Sequence, residues 1–336
     1  MKNVLLTTTA LVLFAGAAAA EVSWSGGADI GYNDSDEFDT DLFYDANVDL
    51  LGSFDLGDGY AATISYGFDL EVDELSNDDN PTIEITAPFG SLKGGDLNDK
   101  GASEYFYKDR DGMSVDVENH DTKARFDVRA LAEFGAFGVA VGTQDADPDT
   151  GLNFGAGGTF GDVTVGFGFD DEDNAGGQRT AVSADMAFGA ASIGVSYASI
   201  DGGQDSTGIA VGYDVSADLS VGVYYADNSV DGGNYGGSVD YAMGDLTVGL
   251  YYDFIDAGDY NQFGIDASYA LMDNVTLYVG YLDLDGEVTS DDDGGYVGVV
   301  YAINDNLSAT ISYAEGYEIS GPEFRDGTTV MLSASF

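Results

Sequence analysis

The chain has 336 residues, of which 61 are acidic and 10 are basic, so its formal net charge is −51, and it contains no cysteine. The negative charge argues against nucleic acid as a partner, because the phosphates would be repelled, and the lack of cysteine excludes disulfides and thiol chemistry. The chain combines 48 glycines with 22 tyrosines and 19 phenylalanines. Disordered chains are poor in aromatic residues, so this composition indicates a folded protein.

The first residues have the pattern of a secretory signal peptide. Met1, Lys2 and Asn3 provide a short positive start, an apolar stretch rich in small residues follows, and small residues continue to Ala20. This order of features predicts export and cleavage after residue 20. The apolar part is too short for a membrane-spanning helix, so residues 1–20 are excluded from the predicted fold and residues 21–336 form the mature chain.

The mature chain contains twenty segments in which apolar residues alternate with small or polar ones. Alternation over about ten residues indicates strands, and links of two to four residues such as FGD, FGA, MGD and INDN indicate tight hairpins. Six hairpins between residues 152 and 318 supply twelve of the segments. The other eight are predicted at Val22–Tyr32, Asp41–Leu51, Tyr60–Val72, Thr82–Ala87, Gly90–Asp96, Lys123–Phe134, Phe137–Asp145 and Gly327–Phe336. An even number of strands places both termini on the same side, as a closed antiparallel barrel requires.

The aromatic residues favour a membrane barrel over a soluble β-sandwich, which would show the same alternation. One set lies beside the tight turns and a second set lies near the opposite strand ends, mostly on the apolar face, with Val, Leu, Ile and Ala between them. The first set is Phe134, Phe160 and Phe188, and the second is Phe169, Tyr197, Tyr225, Tyr252, Tyr281 and Tyr313. Two aromatic girdles around an apolar band of about 25 Å are typical of outer-membrane barrels. The chain also ends on an alternating strand that closes with Phe336, which outer-membrane proteins offer to their insertion machinery.

The chain resembles the general diffusion porins of the Gram-negative outer membrane, in particular the alphaproteobacterial type. The resemblance rests on the mature start EVSWSGGADIGYN, the hairpin IEITAPFGSLKGGDL followed by GASEYFY, and the terminal Phe336. It implies a closed, all-β, antiparallel transmembrane barrel that assembles as a homotrimer in the outer membrane, in contact with lipid and lipopolysaccharide. It also implies 16 strands, whereas the segments number up to 20, and a loop that folds inward as a constriction.

The basic residues are concentrated where such a loop is expected. Seven of the nine in the mature chain lie between residues 93 and 129, and residues 97–122 form the longest stretch without clean alternation. Long loops in compact folds are usually functional or disordered, and by resemblance this one is the constriction loop. The predicted basic constriction residues are Lys93, Lys108, Arg110, Lys123, Arg125 and Arg129. The predicted acidic ones are Asp96, Glu104, Asp109, Asp111, Asp116 and Glu118.

Two roles are open for these cations. Opposite charges across a water-filled neck would set up a transverse field that favours small polar solutes. Alternatively, the cations tie the loop to the wall through ion pairs, and both roles can hold together. Carboxylates on the predicted inner face suggest a modest preference for cations; they are Asp45, Asp49, Asp69, Glu71 and Glu84.

The predicted function is passive diffusion of ions and small hydrophilic solutes. One alternative is a sugar-specific channel, with Phe43, Tyr224, Tyr251 and Tyr278 as candidate aromatic contacts, and another is a structural or adhesive barrel without an open pore. We expect no enzyme activity: His120 is the only histidine, and no serine–histidine pair can be assigned on the lipid face. No cofactor is expected, although Ca²⁺ could bind acidic loops such as residues 170–173 and 291–293.

Overall fold

A computed structural model describes residues 20–35, 42–70, 75–76, 81–95, 97, 101–115, 127–143, 152–171, 177–258, 260–285, 294–315 and 324–336. The predicted signal peptide lies outside this part of the chain except for Ala20, and its cleavage stays a prediction. The described residues are almost entirely strand, with one 3₁₀ turn at Asp256–Gly258. Within these ranges no helix is long and apolar enough to cross a membrane.

The strands, numbered in chain order, are β1 Ala20–Asn33, β2 Leu42–Gly57, β3 Tyr60–Leu70, β4 Leu75–Ser76, β5 Thr82–Ala87, β6 Gly90–Gly95, β7 Asp127–Phe134, β8 Phe137–Thr143, β9 Leu152–Phe160, β10 Val163–Asp170, β11 Arg179–Phe188, β12 Ala191–Ile200, β13 Asp205–Ser216, β14 Leu219–Asn228, β15 Gly232–Met243, β16 Leu246–Ile255, β17 Tyr260–Met272, β18 Val275–Asp285, β19 Gly294–Asn304, β20 Leu307–Glu315 and β21 Gly327–Ser335.

These strands close into one antiparallel ring. Each pairs with its neighbour in the sequence, β3 pairs with β5, and the last strand, β21, pairs with β1 from Gly27↔Ser335 to Asn33↔Thr329. The two-residue β4 pairs only with the end of β3 and is not counted as a strand of the barrel wall. The described residues therefore form a closed barrel of 20 strands. This confirms the even strand number and the count made from the segments, and it replaces the 16 strands that the resemblance implied.

The two faces of the ring differ as the alternation predicts. Large apolar side chains stand exposed on one face: Ile311 is 60% exposed and Val279 is 54% exposed. The alternate positions carry mostly small or polar residues. A ring in a bilayer must turn its apolar face to lipid and its polar face to the lumen. The predicted girdle residues lie on the outer face, where Phe134 is 66% exposed and Tyr281 is 47% exposed.

Tight turns join the strands at one end of the barrel. The turns that follow β9 and β11 place Gly161 and Gly189 at φ values of +66° and +63°. Glycine adopts this left-handed conformation without a steric penalty, which explains the recurring Phe-Gly links. Longer connections lie at the opposite end, and one of them, between β6 and β7, contains residues 101–115.

Candidate pore constriction

Residues 101–115 lie against the inner face of β8 to β15. The wall beneath them has glycine at the closest approaches: a Cβ atom on Gly155 or Gly166 would overlap with the backbone carbonyl oxygens of Ala102 or Phe106, respectively. Glycine within a strand often marks a place where another backbone approaches closely. The inner wall is therefore shaped to receive this segment.

Serines of the wall bind the first half of the segment through its backbone. The amide of Lys108 donates a hydrogen bond to Oγ of Ser183 on β11, at 3.1 Å. The hydroxyl of Ser196 on β12 donates to the carbonyl oxygen of Lys108, at 2.6 Å. Both backbone groups of Lys108 are thus satisfied by the wall, although the segment has no regular secondary structure.

The second half of the segment is bound in the same way. Asn228 accepts a hydrogen bond from the amide of Ser114 at 3.0 Å and donates one to the carbonyl oxygen of Gly112 at 2.9 Å. The same carbonyl accepts a hydrogen bond of 2.8 Å from Asn234, and Ser206 accepts one of 3.1 Å from the amide of Val115. The segment is therefore anchored from Lys108 to Val115 by inward side chains of five adjacent strands.

Arg110 adds an ion pair beneath the segment. Its side chain is only 4% exposed, and its Nη2 atom lies 2.8 Å from Oδ1 of Asp185 on β11. The guanidinium group lies over Gly194, where a Cβ atom would be 2.5 Å from Cζ. Among the described residues, Nε of Arg110 has no hydrogen-bond acceptor, so Asp185 is the main compensation for the buried charge. Arg110 thus takes the anchoring role rather than a place on the water-facing surface.

The residues on either side of Arg110 face the opposite way. Lys108, Asp109 and Asp111 are exposed, whereas Glu104 is half-buried. The segment therefore places one cation against the wall and two carboxylates of neighbouring residues towards the lumen. The backbone hydrogen bonds described above hold those carboxylates in place.

A row of charged residues crosses the inner face of β5, β6 and β7, near the start of the segment. Glu84 is directly opposite Lys93, and Lys93 is directly opposite Arg129. Arg129 is 5% exposed, and its guanidinium carbon lies 4.7 Å from the ring centroid of Tyr105, a cation–π contact. The structure brings Lys93, Arg129 and the 101–115 segment together, with Arg129 covered by the segment.

Of the predicted wall carboxylates, Asp45, Asp49 and Asp69 have inward positions on β2 and β3, and Glu84 has one on β5. Asp45 is opposite Asp29, Asp69 is opposite Asn47, and Asp49 is opposite Gly67. The other predicted charges lie outside the described residues, and their placement stays a prediction; they are Glu71, Asp96, Asp116, Glu118, Lys123 and Arg125.

Some inward residues that shape this region were not predicted from the sequence. Asp185 was not singled out, nor was Asp253, which accepts a hydrogen bond of 2.7 Å from the hydroxyl of Tyr224. One signal in the sequence could have indicated the covered part of the wall: the inward residues on β8 to β13 are small. Large inward side chains reappear on β14, beginning with Tyr224. That contrast lies within the part of the wall that the segment covers, β8 to β15.

The comparisons with known proteins agree with this geometry. The model of a Gram-negative porin family matches residues 7–117, 101–232 and 201–320. The chain belongs to the Gram-negative porin family. This porin is 29% identical to a porin of Rhodobacter capsulatus over 238 residues, which cover 61% of this chain and 75% of that one. The barrel is therefore an outer-membrane channel protein.

Solved structures of a Rhodopseudomonas blastica porin are among the chains similar to this porin. A triple mutant of that porin is 13% identical, with a TM-score of 0.49, and the match covers 94% of this chain and 100% of the other. A structure described as "Asymmetric conductivity of engineered proteins" has the same TM-score, with 12% identity over 94% and 100% of the two chains.

Proposed function

We propose that this porin is a general diffusion channel whose solute limit and charge preference are set by residues 101–115 and the charged wall around them. The observation that carries the proposal is the anchoring of this segment on the inner wall, with Asp109 and Asp111 exposed and Arg110 held beneath. A segment fixed by five strands narrows the passage without closing it. Solutes larger than the remaining opening are excluded, and small hydrated ones pass.

The charges tune this passage. Carboxylates at Asp109 and Asp111 lie on one side of the lumen, and Glu84, Lys93 and Arg129 form a row on the wall where the segment begins. Rings or rows of charged side chains determine which ions a pore favours. Because most of the described inward charges are acidic, we propose that the channel prefers cations.

Replacing both exposed carboxylates, Asp109→Asn with Asp111→Asn, is expected to lower the K⁺-to-Cl⁻ permeability ratio. A unit charge about 6 Å from a passing ion in water is worth about 0.7 kcal/mol, roughly threefold for each ion and in opposite directions for K⁺ and Cl⁻, so the ratio should fall about tenfold per carboxylate. Reversal potentials in asymmetric KCl measure the ratio. The matched control, Asp218→Asn with Asp245→Asn, removes two carboxylates from tight turns and should leave it unchanged. A ratio equal to that of the unmodified protein in the first variant would contradict the proposed role of the segment.

The rival functions differ in what they require of the lumen. A sugar-specific channel needs a path of accessible aromatic rings, but Phe43 is 3% exposed and lies under Arg325, and Tyr278 packs against Phe324. Of the candidate rings, Tyr224 and Tyr251 lie near each other, and their hydroxyls are engaged by Asp253 and Gln262. These contacts favour general diffusion over a dedicated sugar path.

Swelling of liposomes that contain the protein tests the proposed function. Neutral sugars of increasing size should enter at rates that fall steadily with solute radius. A rate that is high for one sugar only would favour the sugar-specific channel, and no swelling with any sugar would favour the barrel without an open pore.

No enzyme activity and no cofactor requirement are proposed. Ca²⁺ at the acidic loops also stays a prediction, because only Asp170 and Asp171 of those clusters belong to the described residues.

We further propose that the barrels assemble as homotrimers in contact with lipid and lipopolysaccharide. β5 and β6 have six residues each, which at a tilt of about 45° span roughly 14 Å, less than the hydrocarbon band of about 25 Å. A wall this low is better covered by a neighbouring subunit than by lipid.

The last strand, β21, closes the barrel against β1. There Phe336 exchanges two backbone hydrogen bonds of 3.1 Å with Gly26 and exposes 62% of its surface, as recognition by insertion machinery would require.

A further inference from the structure

A second segment reaches the inner wall, on the other side of the lumen from residues 101–115. This corner consists of Phe324 to Gly327 and ends on the first residue of β21. Its contacts are with inward residues of β1, β2, β18 and β19. When β4 is left out, β12 is the eleventh strand of the ring, so this corner lies opposite the wall that carries Arg110.

The ring of Phe324 fixes the first residue of the corner. It packs edge-on against Tyr296, with centroids 5.5 Å apart, and against Tyr278, with centroids 6.1 Å apart. Phe324 is only 8% exposed. The wall again has glycine at the point of contact, since a Cβ atom on Gly298 would overlap with this ring. Phe324 therefore occupies a place formed for a large side chain, well inside the barrel.

Asn33 fixes the other end of the corner. Its side chain is fully buried and donates a hydrogen bond of 2.7 Å to the carbonyl oxygen of Asp326 and one of 2.8 Å to Oγ1 of Thr329. Gly327 has a φ of +83°, and a Cβ atom there would be 2.6 Å from Oδ1 of Asp34. The backbone on both sides of Arg325 is thus held in one conformation.

Between these two anchors, Arg325 lies on an aromatic ring. Its guanidinium carbon is 4.0 Å from the ring centroid of Phe43, which itself covers Gly31 on the neighbouring strand. A guanidinium group on an aromatic face keeps its charge and loses little freedom when it binds an anion. Arg325 is half-exposed, so part of the group faces the lumen.

The position of this charge is unusual in the sequence. Outside residues 93–129 the mature chain contains only Arg179 and Arg325 as basic residues, against 52 acidic ones. Asp45 lies two residues after Phe43, on the same face of β2, and is directly opposite Asp29 on β1. A cation above such a carboxylate pair lowers the local negative potential that an entering cation meets.

We infer that Arg325 is a specificity-determining residue of the channel: it is a fixed cation that faces Asp109 and Asp111 across the lumen and limits the preference for cations. The inference rests on the proposed function. The transverse field therefore runs between two anchored inward segments, one with Asp109 and Asp111 and the other with Arg325. Lys93 and Arg129 lie beside the first segment.

The test uses a single engineered thiol, because the natural chain contains no cysteine. The Arg325→Cys variant is reconstituted in a planar bilayer, its reversal potential in asymmetric KCl is recorded, and an anionic or a cationic methanethiosulfonate is then added to the open channel. Each unit of charge should change the K⁺ and Cl⁻ permeabilities about threefold in opposite directions, and therefore their ratio about tenfold, upward with the anionic reagent and downward with the cationic one. The same folded channel is measured before and after, so a folding defect cannot imitate the result.

Asp218→Cys, at a tight turn, is the matched control and should respond to neither reagent. Arg325→Lys should retain the natural ratio, whereas Arg325→Gln should raise it. A channel that conducts but keeps one ratio through both modifications, and in Arg325→Gln, would overturn the role of Arg325 and leave the proposed function intact. Absence of conductance in the unmodified protein would instead overturn the proposed function.

Discussion

Replacing Ile311 with arginine is expected to lower the free energy of unfolding by about 2–4 kcal/mol in phospholipid vesicles, the cost of a lipid-facing cation near the bilayer midplane. Ile311 is the central residue of β20, points outward and is 60% exposed. Its large exposed side chain is explained only if hydrocarbon, rather than water, surrounds this face. Urea titration of the reconstituted barrel measures the change.

Ser308→Arg on the same strand provides the matched control. Ser308 points into the lumen, where an added guanidinium group stays hydrated, so we expect a change of less than about 1 kcal/mol. Equal losses in the two variants would mean that the faces are not divided between lipid and water, and the assignment of the outer face would then be wrong.

Replacing Asp185 with asparagine is expected to destabilise the inward segment, because it leaves the guanidinium group of Arg110 buried without a carboxylate. Removing one partner of a fully buried pair costs about 3–5 kcal/mol. Asp185 is 35% exposed, so we expect a smaller loss, of about 2 kcal/mol. The same variant should also be cleaved faster by trypsin after Lys108, whose backbone is held by Ser183 and Ser196 in the natural protein.

A double-mutant cycle separates the ion pair from other effects. Arg110→Met keeps a long side chain and removes the buried charge, so Asp185→Asn should cost almost nothing in that background. Asp214→Asn, an exposed carboxylate on the inner face of β13, serves as the control. If Asp185→Asn were equally destabilising with and without Arg110, the ion pair would not be what anchors the segment.

Much of the fold could be predicted from the sequence, because a barrel wall is built from local signals. Alternation and Phe-Gly turns gave the number of strands, and the outward aromatics such as Phe134 and Tyr281 gave the class of barrel. The end of β2 was predicted too early, at Leu51 instead of Gly57. Gly52, Asp55 and Gly57 interrupt the alternation there, yet pairing with β3 continues to Gly57↔Tyr60. Neighbouring strands outweigh the weak local preference of those residues.

The site was less predictable, because its decisive contacts join distant residues. The concentration of cations at residues 93–129 marked this region as the candidate constriction, and its role stays a prediction. It could not indicate which cation faces water: Arg110 is buried against Asp185, 75 residues away in sequence, while the adjacent Asp109 and Asp111 are exposed. Phe324 and Arg325 gave no local signal, since their places depend on Gly298 and Phe43 of other strands.

Single-channel recording of the unmodified protein, with reversal potentials in asymmetric KCl, tests the central claim most directly. A water-filled barrel with an anchored inward segment should give uniform conductance steps that are ohmic at low voltage, with a reversal potential on the cation-selective side. Folded, membrane-inserted protein that gives no steps would contradict an open passage. Steps with a reversal potential on the anion-selective side would contradict the assigned balance of charges.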